Sequence, residues 1–194
     1  MNKTAGIVLA AGASSRMGAP KALLDAPDGL PLAVFQAQLL QTAGCRKPLV
    51  VLGSEAERIA PALLNAGVDF AVNTNWTLGR FGSVQTGLHA RPGFDGYLIL
   101  PVDTVGIQRE TLAALLLEAY QQNKSAFRPR FNGTPGRVLW LRNELAGKLL
   151  AMAKSDTPLD QHLAPLTGYF DVDDPAILNN TNTPEEWAAV RDLL

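Results

Sequence analysis

Two basic residues stand five positions apart behind a run of very small ones: Ala10, Ala11, Gly12, Ala13 and Ser14, then Arg16 and Lys21. Residues this small let backbone amides approach a ligand closely and converge on oxyanions as a nest. A guanidinium grips phosphate oxygens through a two-pronged fork and an ammonium acts as a point charge. Together they suit a triphosphate or a departing pyrophosphate. A solvated surface loop carrying two ordinary cations has the same spacing. The familiar phosphate motifs are absent: there is no G-x-G-x-x-G, and no P-loop Lys-Ser/Thr pair follows these glycines.

A second chemical position is Asp103, directly after the aliphatic run GYLILPV. A carboxylate at the carboxyl end of a strand can hold Mg2+ against a phosphate, and a turn aspartate beside Pro101 and Gly106 reads the same way. Ser83 opens SVQTGL and reads as a helix N-cap. In NNTNTPEEW, Thr183 caps a helix, Pro184 takes its first position and Glu186 closes a capping box, which leaves Asn179, Asn180 and Asn182 unexplained. Asp171, Asp173 and Asp174 read as an exposed acidic turn, with a second metal carboxylate as the alternative. His89 and His162 lack metal-ligand spacing, and His89 reads as a helix-surface residue. Cys45 reads as a core thiol without a histidine partner, and no G-x-S-x-G is present, so the sequence offers no convincing nucleophile.

Such residues need elements that deliver them to one place. TAGIVLA, KPLVVLG, VDFAV and GYLILPV are short aliphatic runs bounded by Gly, Pro or Asp, as strands buried on both faces should be. Between them PLAVFQAQLLQTAG, SEAERIAPALLNAG, FGSVQTGLHA and QRETLAALLLEAYQQN carry helical periodicity, with Gly44 and Gly67 as stops. Later, SAFRPRF, GRVLWL and GYFDV read as strands, NELAGKLLAMAKS and TPEEWAAVRDLL as helices. The alternation predicts a single-domain three-layer α/β/α sandwich with a mostly parallel, doubly wound, Rossmann-like sheet. In such sheets ligands sit at the carboxyl ends of the strands, where both the small-residue loop and Asp103 fall.

The 194 residues suit one domain, and 47 % apolar with 18 % charged residues is ordinary globular composition. A net charge of −1 without any Lys/Arg block speaks against a nucleic-acid groove or an anionic membrane surface. The first residues imitate a secretory signal, yet the apolar run is short and leads straight into the basic loop, so the cytoplasm is expected. No run approaches the roughly 20 apolar residues of a membrane span.

LAAGASSRMGAPKALL resembles the signature of the molybdenum-cofactor nucleotidyltransferases, the MobA/MocA-like family, approximately L-A-[AG]-G-x-S-x-R-M-G-x-x-K. NTNWTLGRFGSVQTGL, LILPVDTVGI and NNTNTPEEW resemble three further family elements in the same order, so the similarity covers nearly the whole chain. The resemblance implies the nucleotide-diphospho-sugar transferase fold, and transfer of a nucleoside monophosphate from an NTP to a phosphorylated acceptor such as molybdopterin. Mg2+ would assist and pyrophosphate would leave. It implies that Leu9, Ala10, Ala11, Gly12 and Ser14 hold the nucleotide, that Arg16 and Lys21 face its phosphates, and that Ser83 helps recognise the base. Asp103 would carry the metal with Asn182, while Asn180 and Arg137 would meet the acceptor. The second Ala of LAAG is more like the cytidylyltransferases, which puts CTP ahead of GTP or ATP. Where relatives often have G-H-P this chain has Gly136, Arg137 and Val138, and Arg128, Arg130 and Arg137 together suggest a basic acceptor lining. The nucleotide half would run over about 1–105 and the acceptor half over about 106–194. A sugar- or alcohol-phosphate nucleotidyltransferase and a non-catalytic nucleotide-binding partner are the alternatives.

Overall fold

Every residue of β1, Thr4–Ala10, is buried, which is why its sequence is continuously apolar rather than alternating. The computed structural model describes residues 3–122, 124–153, 158–191 and 194. β1 pairs in parallel with β2 (Arg46–Leu52) on one side and β4 (Gly96–Pro101) on the other, and β3 (Asp69–Val72) extends the sheet beyond β2. Past β4 the sheet turns antiparallel. β7 (Leu139–Arg142) lies antiparallel between β4 and β5 (Ala126–Phe131), so β5 again runs with β4. β6 (Thr134–Pro135) folds back on β5, and β8 (Thr167–Asp171) pairs with β5 in parallel.

Side chains along β1 alternate between two cores. Val8 and Ala10 join one apolar cluster, and Ala5, Ile7 and Leu9 the other. The first is covered by α1 (Leu32–Thr42), α2 (Ala56–Asn65), α4 (Arg109–Gln121) and α7 (Pro184–Arg191), through residues such as Leu40, Leu63, Leu112 and Trp187. The second is covered by α3 (Arg80–Ala90), α5 (Asn143–Ala151) and α6 (Leu159–Leu163), through Val84, Leu88, Leu149 and Leu163. At about 1.5–3 kcal/mol for each fully buried aliphatic side chain, these two layers dominate the stability. The expected three-layer single-domain α/β fold is present, with a mixed sheet.

α1 and α2 give way to Gly44 and Gly67, whose φ values of 111° and 66° are open to glycine at little cost. Three local expectations change. Ser83 is not a cap: α3 starts three residues earlier at Arg80, behind Gly79 with φ 95°, and Ser83 is buried in the helix. Of the acidic turn, Asp174 is buried rather than exposed, accepting bonds from the amides of Gln108 at 3.0 Å and Ala176 at 3.1 Å. α6 has no counterpart in the sequence reading. The final residues of NELAGKLLAMAKS, residues 192–193 of the expected helix TPEEWAAVRDLL, and Asn123 lie outside the described residues. Cys45 is buried, and burial pushes its thiol up to about 12, as befits an inert core residue.

Candidate active site

The exits of β1 and β4 open onto a cavity of about 290 Å3. Its walls come from the small-residue loop, from Pro20 and Lys21, and from Trp76, Gly79, Arg80 and Ser83 at the start of α3. Asp103 and Arg137 complete them. No helix among the described residues is long and apolar enough to cross a membrane.

The loop is shaped from within. Ser14 sits at φ 52°, its carbonyl accepts the Met17 amide at 2.9 Å, and its hydroxyl accepts the Lys21 amide at 3.1 Å. Met17 anchors the turn by burying its side chain in the first core. On the other side the Ser54 amide donates to the Ala11 carbonyl at 3.0 Å. Here Gly53 is required for space: a Cβ there would lie 2.5 Å from the Ala11 oxygen and 2.6 Å from Trp76 Cβ. Gly12 faces open space, with nothing within 4 Å of where a Cβ would project. Leu9, Ala10, Ala11 and Gly12 all line the cavity, and at Gly12 the wall is bare backbone. Ser14 also lines the cavity, but its hydroxyl is engaged in holding Lys21.

Lys21 donates Nζ to Asp103 Oδ2 at 3.0 Å and to Asn182 Oδ1 at 2.9 Å. Arg137 donates Nη1 to Asp103 Oδ1 at 3.0 Å, to Asn180 Oδ1 at 2.6 Å and to the Asn179 carbonyl at 3.3 Å. Five residues from four distant stretches of chain thus form one bonded network, with both carboxylate oxygens of Asp103 held by cations. The side chain of Asp103 is only 16 % exposed and that of Lys21 12 %, so solvent screens the pair weakly.

Main-chain bonds fix the register of this network. The Thr181 amide donates to the Asp103 carbonyl at 3.0 Å, the Arg137 amide to the Ile177 carbonyl at 3.0 Å, and Asn179 Nδ2 to the Val105 carbonyl at 2.8 Å. Gln36, buried in α1, braces the strand exit by donating Nε2 to the carbonyls of Val102 and Thr104 at 3.4 and 3.1 Å. The capping box at Thr183 and Glu186 is present, with reciprocal bonds of 3.2 and 3.3 Å.

The antiparallel strand explains why Arg137 arrives. Because β7 pairs Ile99 with Leu139 and runs against β4, the approach to β7 lies beside the exit of β4. Position 137 therefore comes level with Pro101 and Asp103, although one residue precedes its strand and the other follows.

Arg16 is exposed, does not line the cavity and makes no ion pair among the described residues. Of the other expected basic residues, Arg128 is buried and donates to the Gly136 carbonyl and Asp160, and Arg130 forms a two-pronged pair with Asp171 at 2.8 and 2.9 Å. Neither lines the cavity, so Arg137 alone of the three reaches it. Asp171 and Asp174 are both engaged elsewhere, which removes the alternative of a second metal carboxylate at these two positions. Ser83 lines the cavity and accepts a bond from Asn73 Nδ2 at 3.1 Å. Sequence reasoning missed Arg80, Trp76 and Gln36. A polar residue in the apolar stripe of α1 was the only available signal for Gln36, and a cation between Gly79 and Phe81 the only one for Arg80.

Metal-binding capacity follows from the donors. Among the described residues no three His, Cys, Asp or Glu side chains cluster to hold an ion. What the site offers is a single carboxylate flanked by two amide oxygens, all hard oxygen donors. By donor chemistry that set suits a hard ion such as Mg2+, which keeps waters and shares its coordination with substrate phosphates, better than zinc, although here its oxygens accept from Lys21 and Arg137.

Residues 6–167 match the MobA-like NTP transferase domain. A probable molybdenum cofactor guanylyltransferase of Rhodopirellula baltica is 37 % identical over 113 residues, covering 57 % of this chain and 53 % of its own length. Nicotine blue oxidoreductase of Paenarthrobacter nicotinovorans is 32 % identical over 113 residues, covering 58 % and 55 %. The matched stretch thus spans about half the length of these curated relatives. Among solved structures, a nucleotidyl transferase from Methanothermobacter superposes with a TM-score of 0.81 at 22 % identity, covering 99 % of this chain and 97 % of that one, a likeness of fold. The family match runs from β1 to the first residue of β8 and takes in the small-residue loop, Lys21, Asp103 and Arg137; this chain belongs to the MobA-like NTP transferase domain family.

Proposed function

We propose that this chain transfers a nucleoside monophosphate from an NTP, CTP by preference, to a phosphorylated small-molecule acceptor of the molybdopterin type, releasing pyrophosphate. One observation carries the reading: Lys21, Asp103, Arg137, Asn180 and Asn182 are bonded to one another beside the small-residue loop, where Gly12 is bare backbone. An acceptor phosphate is already an anionic nucleophile, so the protein needs only to align it with the α-phosphorus and to neutralise charge. Leu9, Ala10, Ala11 and Gly12 hold the triphosphate through their backbone, and Lys21 stabilises the departing pyrophosphate. Arg16 reaches the phosphates only if its exposed side chain turns inward once the nucleotide is bound. Mg2+, held by Asp103 with Asn182, would supply charge neutralisation at the α-phosphate. Arg137 and Asn180 orient the acceptor from the half of the chain that follows residue 105.

CTP is favoured because Ala11, which lines the cavity, takes the place of a glycine and adds a methyl group where glycine would leave room. Arg137 and Val138, standing where His and Pro are usual in relatives, favour a second reading of the acceptor as a sugar or alcohol phosphate. Arg137 joins the Asp103 network, whereas Val138 is buried in the core. Binding without catalysis would leave the Asp103 network without a role. Cytoplasmic residence is part of the proposal, since free NTPs are its substrates.

The test is thermal melting of the wild type and Asp103→Ala with CTP, GTP, ATP or UTP, each with and without Mg2+, followed by assay of pyrophosphate release. A ligand that binds only the folded state raises the melting temperature by mass action. A Mg2+-dependent rise largest with CTP and lost in Asp103→Ala supports the proposal. A larger rise with GTP transfers the preference to guanylyl chemistry, and no rise with any nucleotide overturns the reading.

A further inference from the structure

Arg80, the first residue of α3, has a guanidinium that the protein alone does not satisfy. Its Nη2 donates to the Arg137 carbonyl at 3.1 Å, and its Nη1 stands 3.9 Å from Asp160 Oδ2. Its Nε is buried with no acceptor at all. Asp160 is already claimed by Arg128, with which it makes the shorter contact, and its side chain is 60 % exposed. Arg80 therefore shares one solvated carboxylate with a second guanidinium and has Arg137 as its other neighbour.

The charges around the site do not balance. Among the described residues, the four cations Lys21, Arg80, Arg128 and Arg137 pair with two carboxylates, Asp103 and Asp160, a surplus of two positive charges. Burial pulls the Arg80 guanidinium down to about 10, with Arg128 and Arg137 adding to the fall and Asp160 and Asp103 opposing it, so it stays charged at neutral pH. An enclosed donor without a partner and a cation among cations both cost stability, and a neutral side chain could brace α3 equally well. The arrangement makes sense when an anion completes it. Arg80 and Arg137 both line the cavity, whereas the small-residue loop is built on a different element.

We propose that Arg80, with Arg137 beside it, forms an oxyanion-binding subsite separate from the Ala10–Ser14 loop, which takes a phosphate or carboxylate group of the second substrate. The term second substrate rests on the nucleotidyl-transfer reading, but the anion site does not. Arg80 lines the cavity, and a planar guanidinium with an uncommitted Nε can turn to offer Nε and one Nη as a fork to two oxygens, the geometry that phosphate and carboxylate share. An acceptor carrying such a group gains affinity here, and one lacking it leaves Arg80 as it now stands.

The experiment uses the full chain without nucleotide, so that it reads the subsite independently of NTP binding. Methyl phosphate and acetate are titrated calorimetrically into the wild type, Arg80→Gln and Asp160→Asn, with circular dichroism reporting the fold of each. Arg80→Gln is expected to weaken binding of the preferred anion at least tenfold. Asp160→Asn, which removes the carboxylate competing for Arg80, is expected to tighten it several-fold, an effect that a purely bracing arginine would not produce. Sensitivity to methyl phosphate alone identifies a phosphate group, and to acetate alone a carboxylate. The proposal is overturned if the wild type binds neither anion, if folded Arg80→Gln binds both within twofold of the wild type, or if Asp160→Asn weakens binding. Failure of every NTP to bind, with the anion results as expected, removes the nucleotidyl-transfer reading and leaves the subsite standing.

Discussion

Replacing Gly12 by alanine separates what the small-residue loop does for the fold from what it does for a ligand. A Cβ at Gly12 meets nothing within 4 Å, and the residue is not among the glycines with positive φ, so alanine fits the existing backbone. The stability effect should be neutral or favourable by up to about 1 kcal/mol, because alanine restricts the unfolded chain. For a protein of this size that is a rise in Tm of at most about 4 °C. The ligand meets a different surface. The added methyl projects where an anion would approach the amides, and each charge-assisted hydrogen bond lost costs about 1.5–3 kcal/mol. Losing one of them lowers NTP affinity about 10- to 100-fold. Calorimetric titration of CTP with Mg2+, alongside differential scanning calorimetry of the free proteins, measures both quantities. Binding within threefold of wild type would refute the assignment of the Leu9–Gly12 backbone to phosphate. A fall in Tm of more than a few degrees would instead show that Gly12 is needed for folding.

Gly53→Ala should behave in the opposite way, since its Cβ would collide with the Ala11 oxygen and Trp76; overpacking of about 1–3 kcal/mol lowers Tm by roughly 2–12 °C in a thermal melt. Gln36→Ala removes both braces on the carbonyls flanking Asp103, and chemical denaturation should show a loss of about 1–3 kcal/mol with weaker Mg2+-dependent nucleotide binding. Cys45 should resist iodoacetamide at pH 8 in the folded protein and react once urea unfolds it, followed by mass spectrometry. Because burial raises the folded thiol from 9.0 to about 12, the folded state holds a proton that the unfolded state releases. Its contribution to stability is therefore complete below pH 9 and lost as pH rises from 9 to about 12, which urea titrations across that range would register.

The parallel half of the fold was legible because strands buried on both faces leave unbroken aliphatic runs, and TAGIVLA coincides with β1 residue for residue. Capping chemistry was equally local, so the Thr183–Glu186 box could be read directly. Ser83 misled because serine suits a cap and the preceding Arg-Phe-Gly is a poor advertisement for a helix start; the left-handed Gly79 set the boundary instead. The partners of Arg128 and Arg130 depend on β5 meeting α6 and β8 in space, and the bond from Gln108 to Asp174 depends on the segment after β8 meeting the start of α4; spacing along the chain holds no record of either. Lys21 and Asp103 stood out through their motifs, but their union with Asn180, Asn182 and Arg137 is a product of sheet topology.

The strand β7, antiparallel to both of its neighbours, sorts the site by the direction in which the chain passes through it. Segments leaving strands carry the small-residue loop, Lys21 and Asp103, whereas the segment approaching β7 carries Arg137. The two sets of contacts are thereby written into stretches of sequence that can vary separately. Edits ahead of β7 can reshape the Arg137 side of the cavity while the loops that leave β1 and β4 remain as they are. A descendant of this fold can diversify at one end of an antiparallel strand and keep the small-residue loop and Asp103 at the ends of the parallel ones.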